Sequence, residues 1–259
     1  MNRRQRIAVA GATGRVGRHV ADVLETEGHE VVAISRSHGV DLITGDGLAD
    51  ALAGATTIVD AATGPSPDQK SATAFFTTAT RNLQGFGERA GVQHIVVVSI
   101  IGTESFRAGY GAAKLVHERA MLSGPVPATI LRAAQFHEFV PELVDWGRQN
   151  GVSYVPEMRT QLVAARTVAE VLADLAAAPA SQEPRSSGER IPEIAGPREE
   201  SLVEMAELLV ARRGDPVRIE GANAADLYGV DVKELGALLP GPDATLAGPT
   251  FEDWLGEER

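Results

Sequence analysis

The chain has 259 residues, 44% of them hydrophobic, enough for one large α/β domain, alone or with a smaller lobe, around a substantial core. A formal charge of -11, from 35 acidic against 24 basic side chains, opposes general binding to a phosphate backbone, and no local basic patch offsets it, so no nucleic-acid partner is expected. The lack of cysteine excludes disulfides, thiolate metal sites and a cysteine nucleophile. No apolar run reaches the roughly 20 residues of a membrane span. The Arg3, Arg4 and Arg6 cluster reads as a strand entry, because Gly14 and Arg15 break the apolar run behind it. No membrane partner is expected, and a reducing cytoplasm is the expected compartment.

In chain order, the first apolar run, Arg6 to Ala10, predicts a strand, and residues 15–27 predict a helix closed by Gly28. Between them lies Gly11-Ala12-Thr13-Gly14-Arg15-Val16-Gly17. Strand before and helix after are the context in which such a turn binds a dinucleotide. Gly11 permits the tight turn, Gly14 clears space where a pyrophosphate approaches the backbone, and Gly17 lets the helix pack closely on the strand. The amides at the helix start then face the phosphates. Gly11, Thr13, Gly14, Arg15, Val16 and Gly17 are accordingly the first cofactor-binding candidates.

A second strand is predicted over 30–35, and it ends in Ser35-Arg36-Ser37. An acid here would hold a ribose 2′-hydroxyl and repel a 2′-phosphate, whereas a guanidinium beside hydroxyls suits the phosphate. Ser35 and Arg36, with Arg15 as a second charge, favour NADP(H) over NAD(H). Further strands are predicted at 57–62, 94–100 and 129–133. A long helix is expected over 70–90, with Phe75, Phe76, Ala79, Leu83 and Phe86 on one face and Gly91 as its stop. Strands alternating with helices predict a parallel sheet covered on both faces. Thr167 with Glu170 and Ser201 with Glu204 read as capping boxes opening helices that end near Pro179 and Gly214, while Ala180 to Gly188 and Pro240 to Pro249 read as surface loops.

Tyr110 and Lys114, four residues apart in a helix-compatible stretch, project from one face with their polar ends close enough to interact. A neighbouring ammonium is expected to favour the phenolate and to let the phenol give up a proton near neutral pH. Gln135, Phe136, His137 and Phe139 follow the 129–133 strand, where ligand crevices open in α/β sheets, and are the substrate candidates. His137 has two readings, a substrate donor or a structural hydrogen-bonding residue. No histidine or carboxylate spacing supports a metal site.

These residues resemble the atypical short-chain dehydrogenase/reductases, in particular their NmrA-like NAD(P)H-binding branch. The likeness runs over nearly the whole chain and rests on GATGRVG, on the Ser35-Arg36 pair, and on Asp41-Leu42 followed by Leu48 and Leu52. It also rests on VVVSIIG at 96–102, Tyr110-Gly-Ala-Ala-Lys114, ILRAAQFHEF at 130–139 and Asp253-Trp254-Leu255. The resemblance implies a Rossmann-type doubly wound parallel sheet in residues 1–134. It also implies a smaller C-terminal substrate-binding lobe in 135–259, with some segments returning to the sheet. Asp41 and Leu42 would lie under the adenine, and Ala61 and Ala62 would line the cofactor cleft. The resemblance makes Ser99, which ends an apolar strand, the third catalytic candidate, to hold the substrate oxygen, with Thr103 or Ser105 as alternatives, or no hydroxyl there at all. Lys114 would also hold the nicotinamide ribose. One departure is visible, since Arg36 to Asp41 is too short for a full third strand. The expected activity is NADPH-dependent reduction of a small carbonyl or quinone by hydride transfer, and the rival from another class is a non-catalytic NADP(H)-binding redox sensor.

Overall fold

The computed structural model describes residues 4–178, 191–223 and 238–257. The chain divides into two compact units, the first built from Met1–Ser99, Arg107–Leu131 and Val168–Ile191, the second from Ile100–Phe106, Arg132–Thr167 and Pro192–Arg259. Residues 100–106 thus already belong to the second unit, and 168–191 return to the first.

In the first unit, β1 (Arg6–Ala10) is followed by α1 (Gly17–Thr26), β2 (Glu30–Ile34), α2 (Leu48–Leu52), β3 (Thr57–Asp60) and α3 (Gln69–Ala90). Then come β4 (His94–Ile100), α4 (Gly109–Leu122) and β5 (Ala128–Ala133). The predicted strands are recovered, though β2 and β3 stop earlier than the apolar runs suggest. Between β2 and β3 the chain makes only a 3-10 turn at Arg36–His38 and the short α2, so among the described residues no strand lies outside β2. Helix α1 starts two residues later than predicted, because Gly14 to Val16 are spent on the turn. On α3, Phe76, Ala79 and Leu83 are buried while Phe75 and Phe86 pack partly against the core. Full burial of each large apolar side chain contributes about 1.5–3 kcal/mol. Asp68 caps this helix by accepting from the Lys70 and Ser71 amides, and Gly91, at φ 76°, ends it.

The last residues of β5, Arg132 and Ala133, belong to the second unit and pair there with β9 (Glu193–Ala195), which in turn pairs with β12 (Thr245–Leu246). The strand order is β12-β9-β5-β4-β3-β1-β2, a seven-stranded sheet. The pairs β1–β2, β1–β3, β3–β4, β5–β9 and β9–β12 are parallel, which makes this a Rossmann-type fold. The order reverses at β1, which lies between β2 and β3, so the ends of β1 and β3 flank a switch point.

The second unit also holds α5 (Phe139–Trp146), β6 (Arg148–Gln149), β7 (Val152–Pro156), β8 (Arg159–Thr160) and the start of α6 (Ala165–Ala177). It is completed by β10 (Glu200–Ser201), α7 (Leu202–Arg213), β11 (Arg218–Ala222) and α8 (Phe251–Glu257). Its core gathers Val140, Leu143, Leu202, Leu209, Phe251 and Trp254. Two expectations need correcting. Thr167 sits inside α6 rather than capping it, because both carboxylate oxygens of Glu138 accept the Ala165 amide at 3.1 and 3.2 Å and start the helix earlier. The stretch 240–249, read as a loop, contains β12, too short to register as an apolar period. Ser201 caps α7 as expected, accepting from the Glu204 amide. The predicted loop Ala180 to Gly188 lies outside the described residues.

Candidate functional site

The glycine turn leaves β1 at the switch point. Gly11 has φ 75°, a left-handed conformation that costs an L side chain about 1–2 kcal/mol. A Cβ there would also lie 2.7 Å from the Ala61 carbonyl oxygen and 2.8 Å from Ala62 Cα, so the ends of β1 and β3 can meet only without one. At Gly17 a Cβ would fall on the Gly11 carbonyl oxygen and within 2.7 Å of its carbon. The Gly14 amide donates to the Gly11 carbonyl at 2.8 Å and closes the turn. Val16, at the cap position of α1, provides no side-chain acceptor, and the first turn of α1 carries no acid. The contrast with Asp68 on α3 and Ser201 on α7 is chemical: the start of α1 keeps its positive dipole end without a carboxylate or hydroxyl upon it. Such a cradle fits the pyrophosphate of a dinucleotide.

At the end of β2, Arg36 is exposed and Ser35 bonds to Ser37 Oγ at 2.8 Å and to His38 Nδ1 at 2.7 Å. Asp41 accepts from the amides of Ile43 and Thr44, and Asn82 donates to the carbonyls of Leu42 and Ile43, so this loop is tied to α3. The Leu42 side chain is buried in the core. Ala61 and Ala62 are half-buried just beyond β3, the third strand of the chain.

Tyr110 and Lys114 share α4 and both flank the Phe76 ring. The tyrosine stands edge-on with centroids 5.7 Å apart, and Lys114 Nζ lies 4.7 Å from the centroid. Their polar ends go to different partners, however. The Tyr110 hydroxyl lies 3.1 Å from Thr63 Oγ1. Lys114, 4% exposed, donates to the Val98 carbonyl at 2.8 Å and meets His117 Nδ1 at 3.0 Å. His117 Nε2 in turn lies 3.1 Å from Asp60 Oδ2, and Asp60 Oδ1 accepts the Ala62 amide. The expectation that an ammonium lowers the tyrosine is corrected here. Burial pushes the Tyr110 phenol above its ordinary 10.0, the Thr63 bond offsets part of this, and the Asp60 charge adds to the rise.

Burial also pushes Lys114 from 10.5 down to about 8, against the attraction of Asp60 and Glu118. Burial and the Lys114 charge together lower His117, outweighing its bond to Asp60. Burial would raise Asp60, yet the His117 bond and charge, Lys114 and the Ala62 amide hold it below the usual carboxylate range. For Lys114 the unfolded chain binds the extra proton between pH 8 and pH 10.5, so this group's contribution to stability rises with pH across that window. At 1.36 kcal/mol per pH unit, the stability of the wild type relative to Lys114→Met should rise by about 3 kcal/mol over it in denaturant titrations. A pH-independent difference would contradict the burial of a titrating lysine.

The remaining candidates are placed as follows. Ser99 is 2% exposed, and its hydroxyl has no hydrogen-bond partner among the described residues. Thr103 is fully buried and Ser105 half-buried. In the second unit, Gln135 Oε1 accepts from the Thr160 hydroxyl at 2.6 Å, and Phe136 bridges to Val163. Phe139 meets Trp146, which is 62% exposed, edge to face at 5.6 Å. His137 is fully buried, its Nε2 is 3.1 Å from the Pro249 carbonyl, and its ring packs against Phe251 and Trp254. Burial drives it down to about 4, so the ring is neutral at pH 7. Sequence reasoning missed Asp60, His117 and Thr63. The available signals were an acid within the apolar run TIVDAA, where a buried charge demands a partner, and a histidine three residues after Lys114 on the same helix.

A family model described as NAD(P)H-binding matches residues 11–179, well over half the chain, and the chain belongs to that family. With its parallel sheet it is an NAD(P)-binding protein of Rossmann-type fold. A search of curated proteins by sequence finds no match. Among solved structures it is similar to the NAD-dependent NDP-hexosamine 5,6-dehydratase TunA, with 16% identity, TM-score 0.66, and 98% of this chain and 96% of that chain covered. It is also similar to MoeE5 in complex with UDP-glucuronic acid and NAD, with 20% identity, TM-score 0.67 and coverage of 96% and 92%. A third is the dTDP-4-dehydrorhamnose reductase of Bacillus anthracis str. Ames in complex with NADP, with 14% identity, TM-score 0.67 and 97% of each chain covered. At these identities the likeness is one of fold. Among the described residues no helix is long and apolar enough to cross a membrane.

Proposed function

We propose that the protein is an NADPH-dependent oxidoreductase that reduces a small carbonyl or quinone, with Tyr110 as proton donor and Lys114 as its cationic partner. The observation that carries this reading is the pairing of the cap-free glycine cradle with a tyrosine whose phenol is held protonated. Gly11, Thr13, Gly14, Arg15, Val16 and Gly17 hold the pyrophosphate through backbone amides and the dipole of α1. Ser35 and Arg36 take the 2′-phosphate, Asp41 and Leu42 form the turn that faces the adenine, and Ala61 and Ala62 line the floor of the cleft. When bound, the reduced nicotinamide supplies a hydride to an electrophilic carbon. Tyr110, at the edge of burial and bonded to Thr63, gives its proton to the substrate oxygen as negative charge develops there. Two of the three N–H bonds of Lys114 go to Val98 and His117, and the third is assigned to the nicotinamide ribose. Substrate recognition is assigned to the second unit, with Gln135, Phe136 and Phe139 as the residues to vary.

Because the solved neighbours named above carry sugar-nucleotide names, sugar nucleotides belong in the substrate panel beside quinones, aldehydes and ketones. Arg36→Ala tests the cofactor assignment. Loss of a charge-assisted hydrogen bond of about 1.5–3 kcal/mol should cut the preference for NADPH over NADH by about 10- to 150-fold in kcat/KM. An unchanged preference would remove Arg36 from the site. One observation favours a second reading, a non-catalytic NADP(H)-binding redox sensor: Ser99, the hydroxyl that would hold a substrate oxygen, is buried.

A further inference from the structure

Neither Asp60 nor His117 has a part in the chemistry proposed above, yet both are nearly sealed from solvent, at 2% and 1% exposure. A carboxylate and an imidazole are tolerated at such depth only with partners. They come from different elements, the end of β3 and the middle of α4, and meet at 3.1 Å, while the other imidazole nitrogen meets Lys114 at 3.0 Å. The Phe76 ring lies flat on His117, with centroids 4.5 Å apart and planes 9° from parallel, and fixes the plane in which both bonds are made. One protonation state satisfies both neighbours: Nε2–H donates to the Asp60 carboxylate, and the Nδ1 lone pair accepts from the Lys114 ammonium. An imidazolium would set an N–H against the ammonium. The opposite tautomer would set a lone pair against the carboxylate and leave the ammonium facing a donor.

We propose that His117 and Asp60 are positioning residues for Lys114, a neutral imidazole bridging the carboxylate to the buried ammonium, so that the pair aims the lysine and sets the upper pH limit of dinucleotide binding. The inference rests on the assignment of Lys114 to the nicotinamide ribose. Among the described residues, the charges acting on Lys114 are Asp60 from β3 and Glu118 from α4, both favouring the ammonium. His117 stands beside it on α4, α3 presents the Phe76 ring, and β4 presents the Val98 carbonyl. Tyr110, one turn earlier on α4, stays protonated over the relevant range. Lys114 loses its proton at about 8, so NADPH affinity in the wild type should weaken above that pH. Without the Asp60 carboxylate the ammonium loses its counter-charge and the limb moves to lower pH.

The test is the pH dependence of the NADPH dissociation constant, by fluorescence titration, in the wild type and in Asp60→Asn, His117→Gln, His117→Leu and Lys114→Arg. Asp60→Asn and His117→Leu should move the alkaline limb down by about one pH unit or more. His117→Gln can donate to the carboxylate and accept from the ammonium, and should keep the limb near its original place. Lys114→Arg, which stays charged, should have no limb near pH 8. Independently, nitrogen-15 NMR of the wild-type imidazoles, with the His117 signals identified by their loss in His117→Gln, should show a neutral Nε2–H tautomer at pH 7. A limb that stays put in a folded Asp60→Asn protein, or a His117 that at pH 7 is protonated on both nitrogens or carries its proton on Nδ1, would overturn the proposal. If Asp60→Asn does not fold, the wild-type tautomer decides. A shifted limb with no turnover of any substrate would sustain this inference and count only against the reductase reading.

Discussion

Replacing Gly17 with alanine should weaken both the fold and dinucleotide binding. The new Cβ would fall on the Gly11 carbonyl oxygen, with Gly11 C at 2.7 Å and Ala12 Cα at 3.1 Å, and all three atoms are backbone. Backbone cannot swing aside as a flexible side chain can, so α1 must shift or the turn must open. Overpacking of this kind costs about 1–3 kcal/mol of stability. The shift also misaligns the amides at the start of α1, and NADPH affinity should fall by a factor of about 5 to 150. Gly28→Ala is the control, because a Cβ at Gly28 meets nothing within 4 Å although its φ of 88° is strained too. It should cost stability alone. Equal NADPH affinity in Gly17→Ala and the wild type would contradict the placement of the pyrophosphate on this turn.

Tyr110→Phe should leave NADPH affinity nearly unchanged and lower kcat by about 10²- to 10⁴-fold, the usual contribution of a positioned general acid. The variant keeps the ring that packs at 5.7 Å against Phe76 and removes only the hydroxyl bonded to Thr63. Stability should change little, because that hydroxyl is at the edge of solvent and Thr63 is exposed. The phenol is raised above its ordinary value by burial, so it remains an acid at neutral pH rather than a base. The reaction should accordingly run in the reducing direction without the rise in rate with pH that a phenolate base would impose. Full activity in Tyr110→Phe would remove the tyrosine from the chemistry.

The features legible in the sequence share a physical character, in that each is local. The glycine turn depends on a positive φ at Gly11 and a close approach at Gly17, both imposed by residues within a few positions or by the strand ends beside them. Helix α3 is visible because its apolar face repeats at helical spacing and Gly91 terminates it. That no strand forms between β2 and β3 is visible as a segment, Arg36 to Asp41, too short to make a full one. What stayed hidden depends on distant partners. Asp60 and His117 are 57 residues apart, and nothing in either neighbourhood reveals that they meet. The start of α6 was misplaced because its cap comes from Glu138, 27 residues earlier. Tyr110 and Lys114 were located correctly on one helix, but where their polar ends point is decided by Thr63, Val98 and His117. Helix spacing alone could not show that.

The most direct test of the account is NADPH consumption by the wild-type protein across a panel of quinones, aldehydes, ketones and sugar nucleotides, with NADPH and NADP⁺ dissociation constants measured on the same sample. The account predicts turnover of at least one carbonyl or quinone with NADPH preferred over NADH. Tight and nearly equal binding of NADPH and NADP⁺ with no turnover across the panel would contradict it.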